Sequence, residues 1–452
     1  MVGIPHRQRR HWLKAGVAAA LAGLAGRSPG MGVPADAFEI DDPQREADAE
    51  GFRFFGEFEP LSAIWSSYDV GHAAMSIGLA AALAPHVALR FVVRDAQAEA
   101  EARQALAAHG VPLGVAPGKA VQFVHEPLAS YFLRDMAVFT RAGERRLGVV
   151  DFRWTQYGVP AWCARRWRDP GVVATCSANA DYSREELAQA LARHAGARLH
   201  RSSVALEGGG FETNGLGLLI ANEAYLRSRN PGVPRAALER ALLRLPGLRK
   251  VIWLPEGLAE DPHLRATITG PYVAWGTGGH TDLFVRFADA RTVLLAWPDD
   301  ADAATHPVAR LTRARMQRNL ALLASTTDTE GRPLKVIKVP MPRPVQRRVV
   351  LSAQADTSLS EGWAPEFFLP EERREPGQVL MQMAAASYLN FVPANGVLVL
   401  PDYVPHGTPR AQQLRVQRVF ERAFPRREVR FVDAISANWV GGGLHCATLS
   451  QS

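Results

Sequence analysis

Three observations predict an α/β fold. Short apolar runs recur at Leu89–Val93, Val121–Val124, Leu147–Phe152, Val251–Leu254, Val293–Trp297, Val336–Val339, Val397–Leu400 and Val429–Val432. Stretches with helical periodicity alternate with them, and several carry marked ends. No long hydrophobic segment interrupts the alternation. At 452 residues, 47% hydrophobic and 21% charged, the chain has ample apolar material for a core. Its length implies two domains or one large repetitive domain.

Along the chain, the first element is basic. Gln8-Arg9-Arg10-His11-Trp12-Leu13-Lys14 is similar to a twin-arginine export signal, and the apolar run Ala15–Ala25 follows it. That run is too short to span a bilayer, and Gly23 and Ala25 suit a signal peptidase. Residues 1–26 are therefore expected to be a signal peptide read by the twin-arginine export machinery. The mature chain would carry no membrane anchor and work in the periplasm or outside the cell. Residues 27–50, rich in Gly, Pro, Asp and Ala, read as a linker. Arg7, Arg9, Arg10 and Lys14 supply more than half of the net charge of +7. No Lys/Arg block interleaved with aromatics follows, which argues against a nucleic-acid partner.

Further on, Ser183-x-x-Glu186 is a capping box opening a helix that Gly196 can close. Thr408-Pro409 sets a cap and an N1 proline ahead of a helix over Ala411–Phe424, which Pro425 ends. The segment Asp356–Gln378, charged and rich in Pro and Gly, reads as a loop or insertion. Three cysteines are present. Cys163 and Cys176 can form a disulfide in an oxidising compartment, leaving Cys446 as the free thiol. Neither a C-x-x-C pair nor clustered His/Cys spacing is present, so no metal is expected. The absence of phosphate-cradling glycine motifs likewise gives nucleotide cofactors no support.

Chemistry concentrates in five segments. Gly441-Gly-Gly-Leu-His-Cys446 delivers a thiol behind a glycine loop that permits close backbone approach; a buried structural cysteine is the competing reading. Gly279-His280-Thr281-Asp282 precedes an apolar run. If it lies on a strand, the period of two points His280 and Asp282 to one face. Glu207 stands before Gly208-Gly-Gly210, Arg134-Asp135 is an ion-capable pair, and Ser387-Tyr-Leu-Asn390 precedes a strand. Singly, a glycine turn, a salt-bridged Asp and a satisfied Asn are their ordinary meanings.

In this order, with Arg229-Asn230-Pro231 and Trp253-Leu-Pro-x-Gly257, the array resembles the agmatine deiminase and bacterial-type peptidylarginine deiminase family. The resemblance runs from about Phe58 to Ser450. It implies a five-bladed α/β propeller, the pentein, over residues 51–452, with pseudo-fivefold repeats and a site at the central axis. It also implies hydrolysis of a guanidinium C–N bond, with ammonia and a ureido product released and no cofactor. The substrate would be a small-molecule or peptide guanidine. Cys446 would be the nucleophile, His280 the proton donor and later base, and Glu207 the group orienting it. Asp135 and Asp282 would clamp the planar cation in forked pairs, with Asn390 a further contact. His445 is expected to point away into the structure. A guanidine amidinotransferase and a non-catalytic pentein binding protein are the alternatives.

Two departures from the family pattern bear on specificity. Gly278 stands where agmatine deiminases carry an acid, and the family's Phe-Asn-x-Trp-Gly segment is Trp154-Thr155-Gln156-Tyr157-Gly158. Only Arg153 is near the point where the peptidylarginine branch places closely spaced arginines. Agmatine and peptidyl-arginine therefore both stay open as substrates.

Overall fold

A computed structural model describes residues 50–113, 121–179, 186–353 and 362–452. The expected signal peptide, the expected linker up to residue 49, Ser183 of the capping box and 356–361 of the charged segment lie outside them. In chain order the strands are Ala63–Ser67, Ala88–Val93 and Val121–His125 (β1–β3), then Val138–Ala142, Arg146–Arg153 and Arg198–Ala205 (β4–β6). Phe211–Thr213, Leu218–Asn222 and Lys250–Leu254 (β7–β9) precede His263–Thr269 and Tyr272–Thr277 (β10, β11). Val285–Phe287, Thr292–Trp297 and Lys335–Pro340 (β12–β14) are followed by Gln346–Val350 and Val379–Met383 (β15, β16). Val392–Ala394, Val397–Pro401, Glu428–Val432 (β17–β19) and Thr448–Gln451 (β20) complete the series.

One pairing pattern recurs. In β4–β5–β6, β7–β8–β9, β12–β13–β14 and β17–β18–β19 the first strand is antiparallel to the second and the second parallel to the third. The N-terminal sheet has the same pattern because β20 pairs antiparallel with β1, which pairs parallel with β2. Helices occupy every connection that leads to a parallel partner, as such crossovers require. The last strand is thus stitched to the first, which carries Cys446 back against the N-terminal sheet.

The central strands explain why the sequence was readable. β18 is buried along its whole length and β13 along all but its last residue, so they appear as continuous apolar runs; β8 is as deeply buried but was not among the expected strands. The helix Leu187–Ala195 ends at Gly196 in the left-handed conformation, as expected. The helix near Pro409 differs from expectation. It spans Arg410–Ala423, Pro409 is its N-cap, and Thr408 does not cap it. The Thr408 hydroxyl instead accepts from the Arg343 amide at 3.1 Å, a tertiary contact that periodicity cannot reveal.

A sixth sheet, β10–β11–β16–β15, stands apart from the recurring pattern. It packs with the helices Val159–Arg166 and Pro170–Asn179 and the 3-10 turn Pro365–Phe367 in one apolar cluster around Trp162, Trp275, Trp363 and Phe367. The disulfide Cys163–Cys176 forms inside this cluster and leaves Cys446 free. No described helix is long and apolar enough to cross a membrane. Closing a loop of this length restricts the unfolded chain, so a Cys163→Ser/Cys176→Ser variant is expected to lose about 3 kcal/mol of stability. Denaturant unfolding of parent and variant, with and without reductant, checks it.

Candidate active site

The glycine turn after Glu207 sets the floor of the site. A Cβ on Gly209 would stand 2.6 Å from His280 Nδ1 and 3.1 Å from both Asp135 Oδ1 and Asp282 Oδ2, so only glycine lets these groups close together. The Gly209 amide also donates to Asp135 Oδ1 at 3.2 Å. All six residues expected at the site converge here, and all are buried.

The His280 loop is held by a carboxylate below it. Asp261 accepts from the amides of Gly279 (2.8 Å) and His280 (3.0 Å) and from the Thr277 hydroxyl. Gly279 has φ +107°, an angle that L side chains rarely adopt, and its carbonyl accepts from Asn222 Nδ2 at 2.8 Å. His280 and Asp282 consequently do not lie on a strand. Thr281–Leu283 is a 3-10 turn, and β12 starts only at Val285. The amide clamp, rather than strand alternation, turns both side chains inward.

His280 lies between two carboxylates. Its Nε2 is 3.2 Å from Glu207 Oε2 and its Nδ1 3.7 Å from Asp135 Oδ1. Burial opposes its charge, but Asp135, Glu207 and Asp282 outweigh it and raise the imidazole to about 9. Glu207 is likewise opposed by burial, yet Arg229 and His280 hold it down to about 2. The Arg229 Nε donates to both Glu207 oxygens at 2.9 and 3.0 Å, and its Nη2 donates to the Thr277 carbonyl at 2.6 Å. The Tyr225 hydroxyl donates to Glu207 Oε2, and helix Glu223–Arg229 brings Tyr225 and Arg229 together four residues apart.

Asp135 is raised to about 6, chiefly by burial and then by Asp282 and Glu207, against the opposing pull of His280 and of a hydrogen bond from Tyr157. It makes no pair with Arg134, contrary to expectation. Arg134 turns back to Glu57 (2.6 Å) and to the Thr448 carbonyl (3.1 Å), tying β20 in place. Asp282 has burial against it but is lowered by His445 and His280. His445, expected to point away into the structure, instead joins the charged cluster. Its Nδ1 meets Asp282 Oδ2 at 2.8 Å and its Nε2 meets Glu57 Oε2 at 2.6 Å. The other Asp282 oxygen, Oδ1, is buried with no hydrogen-bond partner, as is His280 Nδ1. Two such atoms in one buried site mark a place for a polar ligand.

Cys446 is 1% exposed. Asn390 Nδ2 lies 3.3 Å from its Sγ, while Asn390 Oδ1 accepts from the His445 amide at 2.9 Å. The Sγ stands 3.5 Å from Asp282 Oδ2. Burial, Asp282 and Asp135 push the thiol well above its ordinary value, which holds it protonated. Cys446 and Asp135 line a cleft flanked by Phe132, Tyr157, Leu264, Trp275 and Val440. Among the described residues no cluster of three or more His, Cys, Asp or Glu is disposed to hold a metal ion.

Four participants were not assigned from sequence. Arg229 was noted within a motif but given no role, and Tyr157 was noted as a departure. Glu57 precedes the region of resemblance by one residue, and Tyr225 carried no signal of its own.

The model of the Porphyromonas-type peptidyl-arginine deiminase family matches residues 60–451. The agmatine deiminase of Ectopseudomonas mendocina is 32% identical over 256 residues, which are 56% of this chain and 59% of that protein. The agmatine deiminase of Pseudomonas aeruginosa is 31% identical over 258 residues, with the same coverages. The chain thus matches less than two thirds of the length of these relatives. The solved agmatine deiminase of Enterococcus faecalis superposes with a TM-score of 0.63 over 92% of this chain and 98% of that one. At 22% identity, that likeness speaks for the shared α/β fold. The chain belongs to the Porphyromonas-type peptidyl-arginine deiminase family.

Proposed function

We propose that the protein is a guanidine deiminase that uses Cys446 as a covalent nucleophile. The observation carrying this reading is the meeting of a buried thiol, a doubly flanked imidazole and two carboxylates around Gly209. Asp135 and Asp282 receive the planar cation through charge-assisted pairs and aim its carbon at Sγ. The arriving positive charge offsets the field that keeps the thiol protonated, so the thiol gives its proton to solvent and the thiolate attacks. The sulfur–carbon bond forms, His280 gives its proton to the departing nitrogen, and ammonia leaves a thiouronium on Cys446. Neutral His280 then takes a proton from water, whose oxygen attacks the same carbon. Cleavage of the sulfur–carbon bond yields the ureido product and restores the thiol.

The five recurring sheets, joined by β20 to β1, are best read as the five blades of a closed propeller around this site. Phe132, Leu264, Trp275 and Val440 give the substrate's tail an apolar flank, suited to the methylenes of agmatine or of a peptidyl-arginine. Residues 1–26 are read as a twin-arginine signal, placing the work outside the cytoplasm.

Purified protein is expected to release ammonia from agmatine or from arginine peptides, and Cys446→Ala to lower turnover by at least about a thousandfold. No ammonia from agmatine, free arginine or arginine peptides sinks the reading. Product that forms only with an amine acceptor reassigns the enzyme as an amidinotransferase. The pH profile has a set sign. Asp135 must be ionised to bind, so kcat/KM rises through about 6; His280 must be protonated to donate, so it falls through about 9. These limbs belong to the coupled cluster, and a plateau between them is expected in initial rates from pH 5 to 10. Export is checked by fractionating cells that express the full chain; changing Arg9 and Arg10 to Lys is expected to hold the protein in the cytoplasm.

A further inference from the structure

Tyr157 holds an unusual place beside the cleft. Its φ and ψ are 54° and 20°, Gln156 before it has φ 53°, and Gly158 after it has φ 73°. Two consecutive side-chain-bearing residues in the left-handed region are disfavoured, and such strain persists only where surrounding contacts impose it. Those contacts are on both sides of the residue. The Tyr157 carbonyl meets His263 Nε2 at 2.6 Å, and its hydroxyl donates to Asp135 Oδ2 at 2.7 Å. Its ring lies against Trp154 and belongs to the same apolar cluster as the disulfide and the cleft walls Leu264 and Trp275.

The geometry has a direct consequence for Asp135. Each carboxylate oxygen accepts about two hydrogen bonds. The Gly209 amide takes one position on Oδ1 and the Tyr157 hydroxyl one on Oδ2. A lone pair remains on each oxygen, as forked binding of a guanidinium needs. The other titratable groups acting on Asp135 are His280, Asp282 and Glu207, and Cys446 shares its cleft. Of these, Asp282, Glu207 and burial favour the neutral acid, whereas His280 and the Tyr157 hydroxyl favour the carboxylate.

We propose that Tyr157 is a positioning residue for the guanidinium clamp, its strained turn aiming a hydroxyl that keeps Asp135 oriented and ionised. This inference rests on the deiminase reading and adds a residue to it.

The test compares Tyr157→Phe with the parent by the rate of Cys446 alkylation with 2-chloroacetamidine from pH 5 to 9, located by mass spectrometry. Loss of the hydroxyl leaves Asp135 titrating at higher pH. The variant-to-parent rate ratio is therefore expected to fall severalfold below pH 6 and to approach one above pH 8, as an upward displacement of the Asp135 titration requires. Leu264→Ala, on the same cleft but offering no donor, is expected to slow labelling evenly across pH. A flat ratio for Tyr157→Phe, whether at one or below it, overturns the proposal, as does an equal pH dependence in Leu264→Ala. Thermal melts of each variant identify a folding defect, which produces the flat case. Failure of the parent to label at Cys446 sinks the deiminase reading itself and this inference with it.

Discussion

Buried charge is the constraint on which the rest of this structure depends. Asp135, Glu207, Asp282 and His280 are all removed from water, and isolated ions there are expensive. Each is tolerable only with partners fixed by the fold. Glu207 stays ionised because Arg229 and Tyr225 reach it from one short helix. Removing one member of such a buried pair typically costs about 3–5 kcal/mol, so that helix cannot drift without the site collapsing. Arg229 also bonds the Thr277 carbonyl, and Asp261 gathers the amides that follow. One network therefore fixes the imidazole's height, angle and charge together. On the other side Glu57 takes Arg134, Arg286 and His445, and His445 in turn takes Asp282. The last strand is bound in by the same arginine that neutralises Glu57.

The parts legible in the sequence were those whose signal is local. Central strands such as β13 and β18 are buried on both faces and read as apolar runs. The three-residue strands β7, β12 and β17 are too short to show alternation, so the recurring sheet pattern could not be seen. The six site residues were found by their order and their resemblance to a family, since spacing alone left each with an ordinary meaning. Their partners were harder. Arg229 meets Glu207 and Thr277 across separations of 22 and 48 residues, and His445 meets Glu57 across 388. Long-range pairing of this kind leaves no periodic trace. The expectation that His280 and Asp282 share a strand failed for the same reason: a distant acid, Asp261, gathers the loop.

The rim follows a different logic from the charged interior. It is built from the disulfide-closed helices, the sixth sheet and the turn near Phe367, which pack through tryptophans and phenylalanines. Apolar packing of this kind is indifferent to substrate charge and sets shape. Tyr157 belongs to both regions, with its ring in the rim cluster and its hydroxyl on Asp135. A change of rim sequence can therefore reach the clamp through this residue while the polar network behind it stays intact.

In the proposed reaction the same field that binds a cation also restrains the nucleophile. Burial and the carboxylates of Asp282 and Asp135 keep the Cys446 thiol protonated. A neutral ligand in the cleft leaves that field unbalanced and the sulfur unreactive. A guanidinium balances it, so in the proposed reaction recognition and activation are one electrostatic event. The ureido product is neutral, and its formation removes the balancing charge. The thiol then regains its proton and the clamp its repulsion, which weakens the hold on product at the step where release is needed. Selectivity for a cation, protection of the cysteine and release of product thus have one origin in the carboxylates packed around Gly209.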